Sequence, residues 1–173
     1  MFDGAGVIVQ YAYVVEDLDA AIEHWTSTVG AGPFFVRKHI TDLQFEYRGS
    51  KSSIDMDLAL GQAGTIQIEL VKVNSGQSNA FASMYPQGSG GGFHHAAMFA
   101  KDLGAAIAAY QEKGFELAMK GIFGTTPFAF MDTRSALGFM IELYPETEEM
   151  KAIYGLIANA AKGWDRVEKT RPL

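Results

Sequence analysis

The chain repeats itself once, and no other feature of the sequence limits its fold as strongly. Val14-Val15-Glu16-Asp17-Leu18-Asp19-Ala20-Ala21-Ile22 returns as Phe99-Ala100-Lys101-Asp102-Leu103-Gly104-Ala105-Ala106-Ile107, and Trp25 returns as Tyr110, at an offset of 85 residues. Further on, Ile66-Gln67-Ile68-Glu69-Leu70 is echoed by Phe139-Met140-Ile141-Glu142-Leu143 at a shorter offset, as expected if the second copy has shorter loops. Gln87-Gly88-Ser89-Gly90-Gly91-Gly92 lies between the copies and reads as a flexible linker. The expectation is one domain over 1–173, built of module one (5–80), the linker (87–92), module two (93–145) and a carboxy-terminal helix and tail (146–173).

Each module opens with a strand pattern, Val7 to Val15 and Phe93 to Ala100, rich in apolar and β-branched residues. A helix follows each time. Asp17 and Asp102 are suited to cap it, apolar residues recur at helical spacing, and Gly30 and Gly114 are placed to end it. Three strand-like stretches then complete each module, at about 33–41, 52–60 and 65–73, and at about 116–123, 127–132 and 138–144. The order is β-α-β-β-β, twice. After Pro145, Thr147 can cap a last helix, with Glu148 and Glu149 at its positive end and Ile153, Leu156, Ile157 and Ala160 as an apolar stripe, read as a packing element.

Composition narrows the function. There is no cysteine, which removes disulfides, thiolate metal sites and cysteine nucleophiles, so any metal must be held by His, Glu, Asp or Gln. The net charge is −6 and no basic run exceeds two residues, so a nucleic-acid partner is not expected. The amino-terminal stretch has no basic leader and is too short and polar to span a bilayer, so no membrane partner and a cytoplasmic location are expected.

Strand alternation identifies the residues that need explaining. In the last strand of module one, Ile66, Ile68 and Leu70 face one way and Gln67, Glu69 and Val71 the other; a carboxylate in so apolar a strand must find a partner or stay neutral. Glu142 occupies the same place in module two, and in the two opening strands Gln10 and His95 each stand seven residues before the capping Asp. Singly, each is read most simply as a hydrogen-bonded strand residue. Together, four potential donors at two repeated positions would converge if the modules pack about a pseudo-twofold axis, and their mix suits Zn²⁺, Ni²⁺, Co²⁺, Mn²⁺ or Fe²⁺.

These motifs resemble a known family. Gln10 to Leu18, His94-His95 to Leu103, Ile68-Glu69-Leu70 and Ile141-Glu142-Leu143 are similar to the signatures of the vicinal oxygen chelate superfamily, which includes glyoxalase I, methylmalonyl-CoA epimerase, extradiol dioxygenases and bleomycin-resistance proteins. The resemblance covers about residues 5–145 and implies an α+β fold in which two βαβββ modules pair into a cupped mixed sheet, with one ligand from the first and one from the last strand of each module. Carried over, it implies one divalent ion held by Gln10, Glu69, His95 and Glu142, a set like that of some glyoxalase I enzymes; epimerases usually place His first. Relatives are commonly homodimers, which is the expectation here. His24-Trp25 to Gly32-Pro33-Phe34-Phe35, with Gly163-Trp164-Asp165, resembles an uncharacterised glyoxalase-like branch and names no substrate.

The implied activity is an isomerase or lyase that moves a proton next to a metal-chelated carbonyl of a small-molecule substrate, with Glu142 as base and Glu69 as the second choice. Two alternatives stand beside it. An extradiol-type dioxygenase normally uses two His and one carboxylate on Fe²⁺, and Gln10 takes the place of one His. A sequestering protein would bind an aromatic ligand without chemistry, in a cup that Tyr13, Phe34, His39, Tyr47, Phe128, Phe130 and Met131 could line. Asp55 and Asp57 are expected to be solvated, and His94 to face away from His95 and make a structural hydrogen bond. Arg37, Lys38, Arg48, Lys120 and Arg134 are the candidate partners for a substrate carboxylate or phosphate.

Overall fold

The computed structural model describes residues 7–173. Residues 5 and 6 of module one, and residues 1–6 of the amino-terminal stretch as a whole, lie outside the described residues. The βαβββ order appears twice. Module one contributes β1 (Ile8–Val14), α1 (Leu18–His24), β2 (Phe34–Ile40), β5 (Ile54–Ala63) and β6 (Ile66–Gly76), with the hairpin β3 (Gln44–Tyr47) and β4 (Ser50–Ser52) inserted. Module two contributes β7 (Gly92–Ala100), α3 (Leu103–Glu112), β8 (Glu116–Phe123), β9 (Thr126–Asp132) and β10 (Met140–Pro145). The remaining elements are α2 (Ala80–Met84), α4 (Arg134–Leu137), α5 (Glu148–Ala161) and β11 (Thr170–Pro172).

The repeated helices start and stop where the sequence places the signals. Asp17 accepts from Ala20 N and Asp102 from Ala105 N, both at 2.9 Å, and Gly30 and Gly114 take φ of 79° and 86°, the left-handed conformation that ends a helix. Past His24 the first helix widens into a π-helical segment, Trp25–Val29.

All eleven strands form one sheet in the order β11-β2-β5-β6-β1-β7-β10-β9-β8-β3-β4. The two opening strands lie antiparallel at its centre, and each is flanked by the closing strand of its own module, β6 beside β1 and β10 beside β7, in parallel. The four strands that carry the repeated polar residues are therefore consecutive. One face of the sheet is covered by the repeated helices: α1 packs with Phe34, Ile68 and Leu70, and α3 with Met131, Ile141 and Leu143. The other face curves around a third core that includes Leu58, Val71, Phe81, Phe128, Phe130 and Tyr144.

Three features go beyond the repeat. The hairpin β3–β4 leaves module one and pairs with β8, so module one extends the sheet of module two. The tail returns to the opposite edge, where β11 runs parallel to β2 and Trp164 packs on Gly32 so closely that a Cβ there would strike the indole; the two branch-like motifs thus meet in space. The glycine run is a constrained crossing: Gly90 N donates to Glu16 at 3.0 Å, and Gly91, at φ 69°, passes so near the Val14 carbonyl that no Cβ fits.

Candidate functional site

Alternation aims the site. With Ile68 and Leu70 under α1, Gln67, Glu69 and Val71 must face the concave side; with Ile141 and Leu143 under α3, Met140, Glu142 and Tyr144 do the same. One donor atom each from Glu69, His95 and Glu142 lies within 4.8 Å of the others. Gln10, buried in the adjacent strand, donates from Nε2 to Gln67 Oε1 at 2.6 Å, and its side-chain hydrogen bond also helps to hold down the pKa of Glu69. The structure thus brings all four residues into one place within one chain.

His94 is a correction. It was expected on the face opposite His95, but β7 carries a bulge: Ala12 pairs with His95 and Tyr13 with Phe93, leaving His94 as the extra residue. Both imidazoles consequently sit on the concave side, fully buried, against Phe81 and Phe130. His94 Nε2 is 3.1 Å from the carbonyl oxygen of Ala80, which can only accept, so that nitrogen carries the proton. A neutral His94 then has a bare Nδ1, which lies 2.9 Å from Nδ1 of His95 and accepts a hydrogen bond from its N–H. By this relay His95 Nε2 is left as a lone pair directed into the site. It stands 3.1 Å from Glu142 Oε2, but the alignment is not that of a hydrogen bond, and the nitrogen has no hydrogen-bonding partner.

Burial dominates the electrostatics. Desolvation pushes Glu69 up to about 7, against the opposing pull of His95, and pushes Glu142 up to about 8. The same cause lowers His95 to about 4 and His94 to about 3, so both rings are neutral near pH 7.

The donor set fits a divalent cation. His95 Nε2 and Gln10 Oε1 are buried without any partner, a costly arrangement that a cation relieves, and the two carboxyl groups beside them supply compensating charge. Gln67 Nε2, also unpartnered, carries hydrogens and cannot be a ligand.

Gln10, Glu69 and Glu142 line a cavity of about 300 Å³. Its walls are apolar, with Leu58, Leu60, Met119, Phe128 and Phe130 from the sheet. The roof is α5, which presents Met150, Ile153 and Tyr154 to the cavity, and the Tyr154 hydroxyl is hydrogen-bonded to that of Tyr144. The last helix, read as a packing element, therefore closes the site. Its expected stripe is also rotated: Ile157 is fully buried, but Leu156 is 55% exposed.

Of the residues suggested for the cup, Phe128 and Phe130 line it. Tyr13 and Phe34 pack under α1 and Met131 under α3, Tyr47 packs at the edge of the concave core, and the His39 side chain is 72% exposed. Asp57, expected to be solvated, is buried and accepts from His39 N at 2.9 Å and Asn74 Nδ2 at 2.8 Å. Asp55 is half-buried and accepts from Asn74, which with His39 lowers its pKa. All five candidate cations are in ion pairs: Arg37 with Asp42, Lys38 with Asp19, Arg48 with Glu116 and Asp132, Lys120 with Glu46, and Arg134 with Asp132. Sequence reasoning missed Gln67 and Tyr144, though each stands two residues from a chosen carboxylate on the same face; Phe81 and Tyr154 gave no local signal.

The family model described as the Glyoxalase/Bleomycin resistance protein/Dioxygenase superfamily matches residues 9–130. The chain belongs to this superfamily. Gln10, Glu69 and His95 fall inside the matched segment, and Glu142 lies beyond it. Among solved structures, methylmalonyl-CoA epimerase from Mycobacterium tuberculosis is similar at 20% identity and TM-score 0.55, over 88% of this chain and 97% of that one. A hypothetical protein from Bacillus halodurans aligns at 16% identity and TM-score 0.57, over 83% of this chain and 96% of that one. A variant of the Streptomyces coelicolor methylmalonyl-CoA epimerase in complex with 2-nitronate-propionyl-CoA aligns at 18% identity and TM-score 0.53, over 83% and 96%. At these identities the shared property is the cupped α+β fold of paired βαβββ modules. No curated protein matches the chain in sequence.

Proposed function

We propose that this member of the superfamily is a divalent-metal-dependent isomerase or lyase that transfers a proton next to a substrate carbonyl, with Gln10, Glu69, His95 and Glu142 holding the ion. The observation that carries the reading is the convergence of Glu69, His95 and Glu142 within 4.8 Å at an apolar cavity, with the buried lone pairs of His95 Nε2 and the adjacent Gln10 Oε1 left without partners. A bound divalent ion supplies Lewis acidity to a chelated carbonyl and so acidifies the neighbouring C–H.

The chain's own residues do the rest. Glu142 takes the proton: its side chain is 13% exposed and lines the cavity, so a carboxylate oxygen is within reach of a substrate carbon held beside the donor cluster, to which the same group can return the proton. Glu69 is the second candidate. Gln67 Nε2, buried and free of other bonds, is placed to donate to a developing negative oxygen. The apolar walls and α5 exclude water.

Within this class the reading covers both a glyoxalase-like transfer and an acyl-CoA epimerisation, since in each a proton leaves and returns at a carbon beside the chelated carbonyl. The expected cytoplasmic location is consistent with a cysteine-free chain, and among the described residues no helix is long and apolar enough to cross a membrane. A homodimer is proposed by family likeness; light scattering that returns a monomer mass at micromolar concentration overturns it.

Reconstitution and elemental analysis test the ion: one equivalent is expected, and stoichiometric binding that survives His95→Ala combined with Glu142→Gln places the metal elsewhere. Incubation in D₂O with hemithioacetals, acyl-CoA esters and 2-hydroxy ketones, read by NMR, tests the reaction. Deuterium next to the carbonyl is expected in at least one of them. Oxygen consumption on catechols under Fe²⁺ with no exchange replaces the reading with a dioxygenase, and tight binding of aromatic compounds with neither reaction replaces it with sequestration.

A further inference from the structure

The cavity also restricts what it can take. At about 300 Å³ it stands at the small end of the range of ligand pockets, roughly 300–1,000 Å³, which suits a compact compound. Its wall is aromatic and aliphatic, and Phe81, Phe128, Phe130 and Tyr154 are part of it. The lining offers little that would recognise a thiol carrier. The only cation among the described lining residues is Arg37, whose guanidinium is bound to Asp42 at 3.0 Å and lies over the Phe123 ring at 5.5 Å. The other exposed charged residue of the lining is Glu149, which accepts from Thr125 Oγ1 at 2.7 Å. The one cation is thus already paired and Glu149 is an anion, so the phosphates of coenzyme A or the carboxylates of glutathione find no unpaired cation among the described lining residues.

Resting on the proton-transfer reading, we propose that this cavity takes a compact, uncharged compound with two adjacent oxygens on an apolar, aromatic body, an aryl 2-hydroxy ketone, directly and without a thiol carrier. The oxygens face the donor cluster and the ring lies between Phe128, Phe130 and the α5 roof. The reaction balances without a co-reactant. Glu142 removes a proton from the carbon bearing the hydroxyl, the C–H electron pair becomes the double bond of an enediol, and the same carboxyl returns the proton to the adjacent carbon. A hydroxyl proton passes from one oxygen to the other, so R–CO–CH₂OH becomes R–CH(OH)–CHO with nothing oxidised or reduced overall.

The test uses the full chain reconstituted with zinc. Binding of 2-hydroxyacetophenone, of the glutathione hemithioacetal of phenylglyoxal and of methylmalonyl-CoA is measured by calorimetry, and exchange in D₂O by NMR. Binding of the hydroxy ketone at least tenfold tighter than either adduct, with deuterium entering it, is the expected result. Tighter binding of an adduct, with exchange into it, overturns the carrier-free proposal and leaves the proton-transfer reading standing. Binding of the hydroxy ketone without exchange supports the ligand class and overturns the proton-transfer reading, and no binding of the hydroxy ketone overturns the proposal. Ile153→Trp, which fills the cavity from the roof, should abolish hydroxy-ketone binding while one equivalent of zinc still binds, which shows that the fold is intact; unchanged hydroxy-ketone binding by this variant also overturns the proposal.

Discussion

Replacing His94 by Phe tests whether the imidazole relay prepares His95 as a ligand. The substitution conserves the flat ring that stacks on Phe81 at 4.7 Å, so packing is largely kept and hydrogen bonding is what changes. His95 Nδ1–H loses its acceptor in a fully buried position, and an unsatisfied buried donor costs about 1–3 kcal/mol. For a chain of this length that corresponds to a melting temperature lower by roughly 2–12 °C. The Ala80 carbonyl keeps a partner, because Ser83 Oγ also donates to it at 2.8 Å. With the relay gone, His95 is free to carry its proton on Nε2, the atom that must be bare, and loss of such an orienting partner typically weakens metal binding by about 10–100-fold, or about 1.4–2.7 kcal/mol. Competition against a chromophoric chelator reads the affinity, and long-range ¹H–¹⁵N spectra of the metal-free protein read the tautomer: Nδ1–H in the wild type, a mixture in His94→Phe. His94→Asn puts an amide oxygen near the place of Nδ1 and should recover most of the affinity. Unchanged metal binding in His94→Phe, or Asn as poor as Phe, would refute the relay.

Three further outcomes are expected. Glu142→Gln should retain the fold and much of the metal while turnover of any accepted substrate falls by about two or more orders of magnitude, read by single-substrate kinetics beside elemental analysis. In metal-free protein, Glu69 and Glu142 hold protons up to about 7 and 8 that the unfolded chain gives up near 4.5, so their contribution to stability is complete at low pH and lost as pH rises through those values. His94 and His95 act oppositely, costing stability as pH falls below 6.5, so the two effects offset between about 4.5 and 6.5 and a net decline should run from about pH 6.5 to 8. Urea midpoints in the presence of a chelator should be lower at pH 8.5 than at pH 6, and zinc should reverse the order; equal midpoints in chelator count against buried protonated carboxyls. Gly91→Ala should be severely destabilising, since it combines a left-handed backbone with a clash against the Val14 carbonyl at the β1–β7 seam; a melting temperature within a degree or two of the wild type would exclude that crossing.

The sequence by itself determined the paired βαβββ order, the caps of the repeated helices and the inward direction of Gln10, Glu69 and Glu142. These follow from local periodicity: once Ile68, Leu70, Ile141 and Leu143 are assigned to the helix-covered face, the alternate positions must face the other way. The tertiary structure decided what depends on distant partners. His94 was misplaced because a single extra residue in β7 reverses the alternation, and the bulge exists only in the pairing with β1. The hairpin β3–β4 crosses to the far edge of module two, and α5 folds back over the cup, because each buries apolar surface against segments remote in the chain. Asp57 is buried for a similar reason, its hydrogen bonds coming from His39 on β2 and Asn74 on β6. A strand pattern records which residues must leave water; it does not record which distant surface receives them, and the depth of the cavity, its roof and the neutral state of its histidines all depend on that surface.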